Sequence, residues 1–190
     1  NSSERPYIEN YLNEGGKLFL SGAEIGYDLE YKGSAPEFYQ NILKSDYLYD
    51  DGISYIINGI IGEIFEGISF QIYTDDSGSS QGDALYQTNW PDSIQGSNGG
   101  INILQYNSGR NAAIRWEGYE SSSADYSRII NFGFPIECIN STTDRNLVIQ
   151  TILRDFRRPI GLFSEPYSYD SIILTWYPNP EENLIGYHIY

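Results

Sequence analysis

The stretch GGKLFLSGAEIG, residues 15–26, constrains this chain more than any other. Leu18, Phe19 and Leu20 make an apolar strand that runs straight into Gly22-Ala23-Glu24-Ile25-Gly26. Two small residues framing one side chain on a tight bend is the layout of a strand-to-turn elbow, which projects a group out of the fold. Elbows of this kind usually hold Ser or Cys, and this one holds Glu24. Upstream, ERPYIENYLNE (residues 4–14) reads as a short helix. Ser3 caps it, Pro6 sits in its first turn, and Tyr7, Ile8, Tyr11 and Leu12 form an apolar stripe that Gly15-Gly16 ends. A helix followed by a buried strand is normally the second half of a βα unit in a parallel sheet, so an α/β fold is expected. The matching strand is expected ahead of Ser3, and a sequence without Met is expected to belong to a longer polypeptide.

Beyond the elbow, APEFYQNILK (residues 35–44) predicts a second helix. The pattern then turns to strands: ISYIING, ISFQIY, INILQY, AAIRWEG and SRIINFGF are short, rich in β-branched and aromatic residues, and bounded by Gly, Asn or Asp. A last helix is expected from Thr143 to Arg157. Ser141-x-x-Asp144 supplies a capping box, and Ile149, Ile152, Leu153 and Phe156 lie at helical spacing. Arg157-Arg158-Pro159 closes it, and the chain changes character to alternating strands.

Charge and rare residues narrow the function. Lys and Arg number 11 against 26 Asp and Glu, a net charge of −15. That disfavours nucleic acid and anionic membrane, both of which need clustered cations. A single cysteine, Cys138, excludes a disulfide framework and a cysteine-based zinc site, and a single histidine, His188, excludes multi-histidine centres. No apolar run reaches membrane-spanning length, so no membrane insertion is expected. The abundance of Tyr, Asn, Ser and Gly points to an extracellular or cell-surface protein.

The order of helix, GGKLFLSG, elbow, strands, GRNAAIRW (residues 109–116) and a strand ending FGFPIE (residues 132–137) resembles the glutamine-amidotransferase-like, flavodoxin-like α/β superfamily. More narrowly, it is similar to the non-catalytic members found in large secreted bacterial proteins, often beside fibronectin type III modules. SYDSIILTWYPNPEENLIGYHIY (residues 168–190) resembles the opening strands of such a module, through its LTW strand, Pro/Asn-rich turn and GYHIY strand. The expected organisation is an amidotransferase-like domain over residues 1–158, a mixed sheet with flanking helices. Residues 159–190 would begin a fibronectin III-like β-sandwich, of which only a part is present.

The resemblance also implies which groups are lost. In catalytic relatives the elbow carries Cys, and a His-Pro-Glu follows a later strand. Here Glu24 stands at the Cys position, and Phe134-Pro135-Ile136-Glu137 falls where His-Pro-Glu would be, with no imidazole. A carboxylate of ordinary pKa about 4.3 is a poor acyl carrier, and nothing ordinary shuttles its proton. Glutaminase chemistry is therefore rejected. Glu24, Asp28 and Glu137 remain as candidate carboxylates for a hydrolytic site acting on glycans or cell-wall material. Against this stands a purely structural Glu24, capping a helix N-terminus or paired with Arg110 or Arg115.

Other features carry two readings each. Cys138, in FPIECIN, is a reactive thiol or, better, a buried inert one. Asp75, Asp76 and Asp83 in TDDSGSSQGDA offer oxygen ligands for calcium. The EF-hand spacing is not met, which favours a solvated loop and no cofactor. Trp90, Trp116 and Tyr119, with Tyr86, are candidates for a carbohydrate- or protein-binding face and equally for core. The expected role is a non-enzymatic binding or structural module of a secreted or cell-surface multidomain protein. Its partners would be other domains of the same polypeptide, or a surface protein or glycan. The alternatives are the hydrolytic accessory domain and a subunit of an extracellular assembly, with homo-oligomerisation as its consequence.

Overall fold

The computed structural model describes residues 2–120, 125–168 and 171–177. Helix α1 (Arg5–Asn13) forms as expected, but its N-cap position falls on Glu4 rather than Ser3, because Pro6 sets the first turn. The strands follow as β1 (Lys17–Ser21), β2 (Ser45–Tyr49), β3 (Ile56–Gly59), β4 (Ser69–Gln71), β5 (Ser93–Gly96), β6 (Ile101–Tyr106), β7 (Asn111–Tyr119) and β8 (Tyr126–Phe132). Helix α2 (Thr142–Phe156) and the strands β9 (Ile160–Ser168) and β10 (Ser171–Tyr177) complete the order. Among the described residues no helix is long and apolar enough to cross a membrane.

Six strands make one mixed sheet in the order β1-β8-β7-β6-β3-β4. Only β1 and β8 pair in parallel, with Lys17 opposite Arg128 and Ser21 opposite Phe132. The other pairs are antiparallel. The fold is thus mixed α/β with few helices, and the parallel character expected from the first helix and strand is confined to one edge. The cause is local: β6 and β7 are joined by residues 107–110, with Gly109 at φ 91°, and a turn that short can join only antiparallel strands. Strands β2 and β5 form a separate antiparallel pair. Strands β9 and β10 pair as an antiparallel ribbon containing the Leu174-Thr175-Trp176 stretch. The GYHIY strand and His188 lie outside the described residues.

Both faces of the sheet are covered, as a strand apolar on both sides requires. Phe19 packs with Ile57, Phe65, Ile103, Ile130, Phe132 and Phe134 on the face that α2 closes through Val148 and Ile152. Leu18 and Leu20 point the other way, onto Tyr39, Leu43, Ile94 and Ile114 beneath the elbow. The Ser141 hydroxyl accepts the Asp144 N–H at 3.1 Å, so the predicted cap forms. The buried face of α2 is set by Val148, Thr151, Ile152 and Asp155, whereas Ile149 and Leu153 are exposed.

Charged groups hold α2 to the sheet. Arg128, buried on β8, donates from Nε to Glu117 at 3.1 Å and from Nη1 to the Asp155 carbonyl at 2.6 Å. Glu117 also accepts from Arg158 at 3.0 Å, and Arg158 meets Asp155 at 2.7 Å. At the sheet edge the Tyr11 hydroxyl donates to the Lys17 carbonyl at 3.2 Å and accepts the Lys17 N–H at 3.1 Å.

Candidate functional site

β1 ends at Ser21, and the chain turns through Gly22-Ala23-Glu24 into a short helix from Ile25. Its first helical bond runs from the Asp28 N–H to the Glu24 carbonyl at 2.9 Å. The turn then widens over Tyr27–Tyr31, where the Lys32 N–H reaches the Tyr27 carbonyl five residues back. Phe38–Ile42 is wound the same way, in place of the regular helix expected over residues 35–44. Wide turns of this kind are rare and concentrate at functional sites.

Glu24 is the strained residue of the elbow, at φ 68°. That left-handed conformation costs a side-chain-bearing residue of the order of 1 kcal/mol or more. The flanking glycines serve packing. Gly26 has an ordinary helical φ of −66°, but a Cβ there would lie 2.8 Å from the Tyr39 hydroxyl and 3.1 Å from Tyr47. A Cβ on Gly22 would meet the Ile25 side chain at 2.8 Å.

Asp92 holds the elbow from below. Its Oδ2 accepts the Gly26 N–H at 3.0 Å, and the amides of Tyr27 and Glu24 also favour its charged form. Asp92 is fully buried, and its Oδ1 has no partner among the described residues. Desolvation dominates and pushes its carboxyl up to about 7; the amides oppose this, and Glu24 adds to it. Sequence reasoning missed Asp92, since Trp90-Pro91-Asp92 reads only as a turn, 66 residues from its partner.

A cavity of about 340 Å³ opens beside the elbow. Ile8, Leu20, Ile25, Leu29, Phe38 and Leu43 supply its apolar walls, and Glu4, Arg5, Glu24 and Asp28 its charges. Arg5 is anchored by donating from Nη1 to the Ser34 carbonyl at 3.0 Å. The Glu24 side chain is exposed, and among the described residues no hydrogen bond or ion pair holds its carboxylate. Partial desolvation at the cavity mouth, then Asp50, raise its pKa; Lys32 opposes them and Asp28 adds a smaller push upward. Asp28 is 4.0 Å from Lys32, whose ammonium also sits 4.8 Å from the centre of the Tyr27 ring.

Glu24 and Asp28 therefore share one cavity, and Glu137 does not line it. The Glu137 segment leaves the end of β8 beside β1, where the Ile136 N–H meets the Ser21 hydroxyl at 3.4 Å. It then turns toward the α2 face: Ile136 packs there, and the Glu137 carbonyl accepts from Leu85 and Arg145. The arginines considered as partners of Glu24 are engaged elsewhere, which corrects that pairing. Arg110 donates to the Asp51 carbonyl and lies over Tyr49, while Arg115 pairs with Glu63 at 2.7 Å. Likewise it is the backbone of Glu24, not its carboxylate, that bonds at the helix start.

The remaining candidates are dispersed. Trp90 is exposed at φ 46°, Trp116 is half-buried with Lys44 Nζ 4.5 Å from its ring, and Tyr119 is exposed, edge-on to Tyr126. Tyr86 is exposed on the loop beside Glu137. Asp83 accepts the Thr142 N–H at 3.1 Å, which lowers its pKa, whereas Asp76 lies near Asp75 and Asp51. Among the described residues no three His, Cys, Asp or Glu side chains gather as metal ligands. The Cys138 thiol is buried, with its sulfur 2.8 Å from the Pro135 carbonyl, and burial pushes its pKa up, so it carries no thiolate.

What the elbow can do chemically is hold a positive charge on Glu24 against an apolar wall, or offer Glu24 as an acid. Compared with family models, curated proteins and solved structures, the chain matches none.

Proposed function

We propose that the chain is a non-enzymatic binding module of a secreted or cell-surface multidomain protein, and that the elbow cavity is its ligand site. In this reading the scaffold is an amidotransferase-like α/β domain whose elbow has exchanged catalysis for recognition, leading into a fibronectin III-like segment. The observation that carries it is the cavity itself: six large apolar side chains beside a strained Glu24 that has no hydrogen-bond or ion-pair partner among the described residues, on an elbow fixed by a buried Asp92. Binding sites combine apolar walls with a few placed polar groups in this way. The antiparallel β9–β10 ribbon after α2 is compatible with the first strands of a sandwich.

A second reading, a hydrolytic accessory domain, is favoured by one observation: Glu24 and Asp28 line the same cavity, and partial desolvation and neighbouring carboxylates push the pKa of the Glu24 carboxyl upward, the direction a general acid needs. Titration of the ¹⁵N-labelled chain with a fragment set separates the two. The binding module predicts amide shifts confined to the residues around the cavity, with glycans and cell-wall peptides left intact. Turnover of such a substrate that disappears in Glu24→Gln would establish the hydrolase instead.

A further inference from the structure

We infer that the elbow cavity selects a ligand carrying a protonated amine beside an apolar body. This rests on the reading of the cavity as a binding site and names the chemistry it takes.

Two independent features meet there. The walls formed by Ile8, Leu20, Ile25, Leu29, Phe38 and Leu43 fit a compact hydrocarbon group. At the same place Glu24 lies beside Asp28, Asp50 adds repulsion from outside the lining, and the lysine that acts on Glu24, Lys32, is already divided between Asp28 and the Tyr27 ring. Glu24 is thus left with an unmatched charge at the edge of an apolar space. Arg5, the cation among the described lining residues, keeps its charge but is turned to the Ser34 carbonyl, and among the described residues no hydrogen bond or ion pair joins it to Glu24.

Charge complementarity picks the occupant. An ammonium next to Glu24 relieves the repulsion from Asp28 and Asp50 while the ligand's hydrocarbon covers the walls. A neutral ligand covers the walls but further dehydrates an unpaired carboxylate. An anion adds repulsion to that dehydration. A primary amine also has three donors, enough to reach Glu24 and Asp28 together. The elbow strain falls at this same residue: the left-handed position at Glu24 is the one whose side chain lines the cavity.

The test uses hexylamine, hexanol and hexanoate as probes of the intact ¹⁵N-labelled chain at pH 7.5. The expected result is that hexylamine shifts the amides of residues 22–29 and binds at least about tenfold more tightly than hexanol, with hexanoate weaker still. Glu24→Gln should lose roughly tenfold in hexylamine affinity and little in hexanol affinity. Ala23 also lines the cavity, so Ala23→Leu, which fills it, should abolish both. Hexylamine binding should also weaken as the pH falls through the raised pKa of Glu24. Equal affinity for hexanol and hexylamine, or indifference to Glu24→Gln, overturns the inference and leaves the binding site standing. Shifts scattered over the acidic surface and surviving Ala23→Leu overturn it as well. Failure of all three probes to shift the cavity amides removes the binding reading too.

Discussion

Glu24 occupies a backbone position that a glycine would adopt at no steric cost. Replacing it with Gly removes left-handed strain but adds freedom to the unfolded chain, and the first effect is the larger at φ 68°. Glu24→Gly is therefore expected to raise stability by about 0.5–1 kcal/mol in urea denaturation. Two residues on, the sign reverses. Gly26 already has a helical φ, and a methyl group there would press on the buried Tyr39 hydroxyl and on Tyr47. Gly26→Ala is expected to lose about 1–3 kcal/mol by the same measurement. The two residues form a pair of opposite controls. In one the side chain strains the fold, and in the other its absence preserves it.

At the level of elements, α2 depends on charge as much as on its apolar face. Its C-terminal end reaches the sheet through Arg128, Glu117, Arg158 and Asp155, and Arg128 is buried. Burial alone would raise the pKa of Glu117, but Arg158, Arg128 and Arg115 outweigh it and hold the group ionised. Glu117→Gln keeps the shape and strips the charge that compensates Arg128. The expected loss is about 3 kcal/mol, with earlier hydrogen exchange at residues 150–156 than elsewhere in the core. The sequence was most readable where one element decides its own structure. Residues 4–14, the β1 segment and the Ser141 cap all announced themselves through local periodicity and capping chemistry. It was least readable where two distant segments decide together. SDYLY and SIQG are too short and too polar to read as strands, and each is a strand only because the other is there. The inner face of α2 is hard to read for a related reason: Leu147, Ile149 and Leu153 are as apolar as the buried Val148 and Ile152, so the helical spacing of Ile149, Ile152, Leu153 and Phe156 does not pick it out. The elbow showed its turn and its Glu24, but not the Asp92 that fixes it from the far side of the chain.

For the whole molecule, the buried carboxyl under the elbow sets a pH dependence. Asp92 has its pKa raised to about 7 in the folded state, against 3.8 as an ordinary group. Between those values the folded chain holds a proton that the unfolded chain has released, so stability falls as pH rises through this range and levels off above it. Glu117 works in the opposite direction. Its depressed pKa gives a contribution that is present above the ordinary value of 4.5 and is lost as the pH drops through the folded one. Maximum stability is thus expected in mildly acidic solution, with a decline of about 2–4 kcal/mol toward pH 8 from Asp92. A net charge of −15 adds self-repulsion on the same side. Thermal melts of Asp92→Asn across pH 5–8 separate the two contributions. The variant retains an acceptor for the Gly26 N–H, loses the ionisation, and should show a flatter profile with a higher midpoint at pH 8. A decline as steep as in the parent chain would place the effect in the general charge instead.

Among the described residues β1 lies at one edge of the six-stranded sheet, and in a parallel pair alternate residues turn both backbone groups away from the partner. Lys17 is one of these, and the Tyr11 hydroxyl occupies its N–H and its C=O at once. Any extended segment added along that edge would find its first rung already taken, so one hydroxyl group on a helix fixes where further pairing could start.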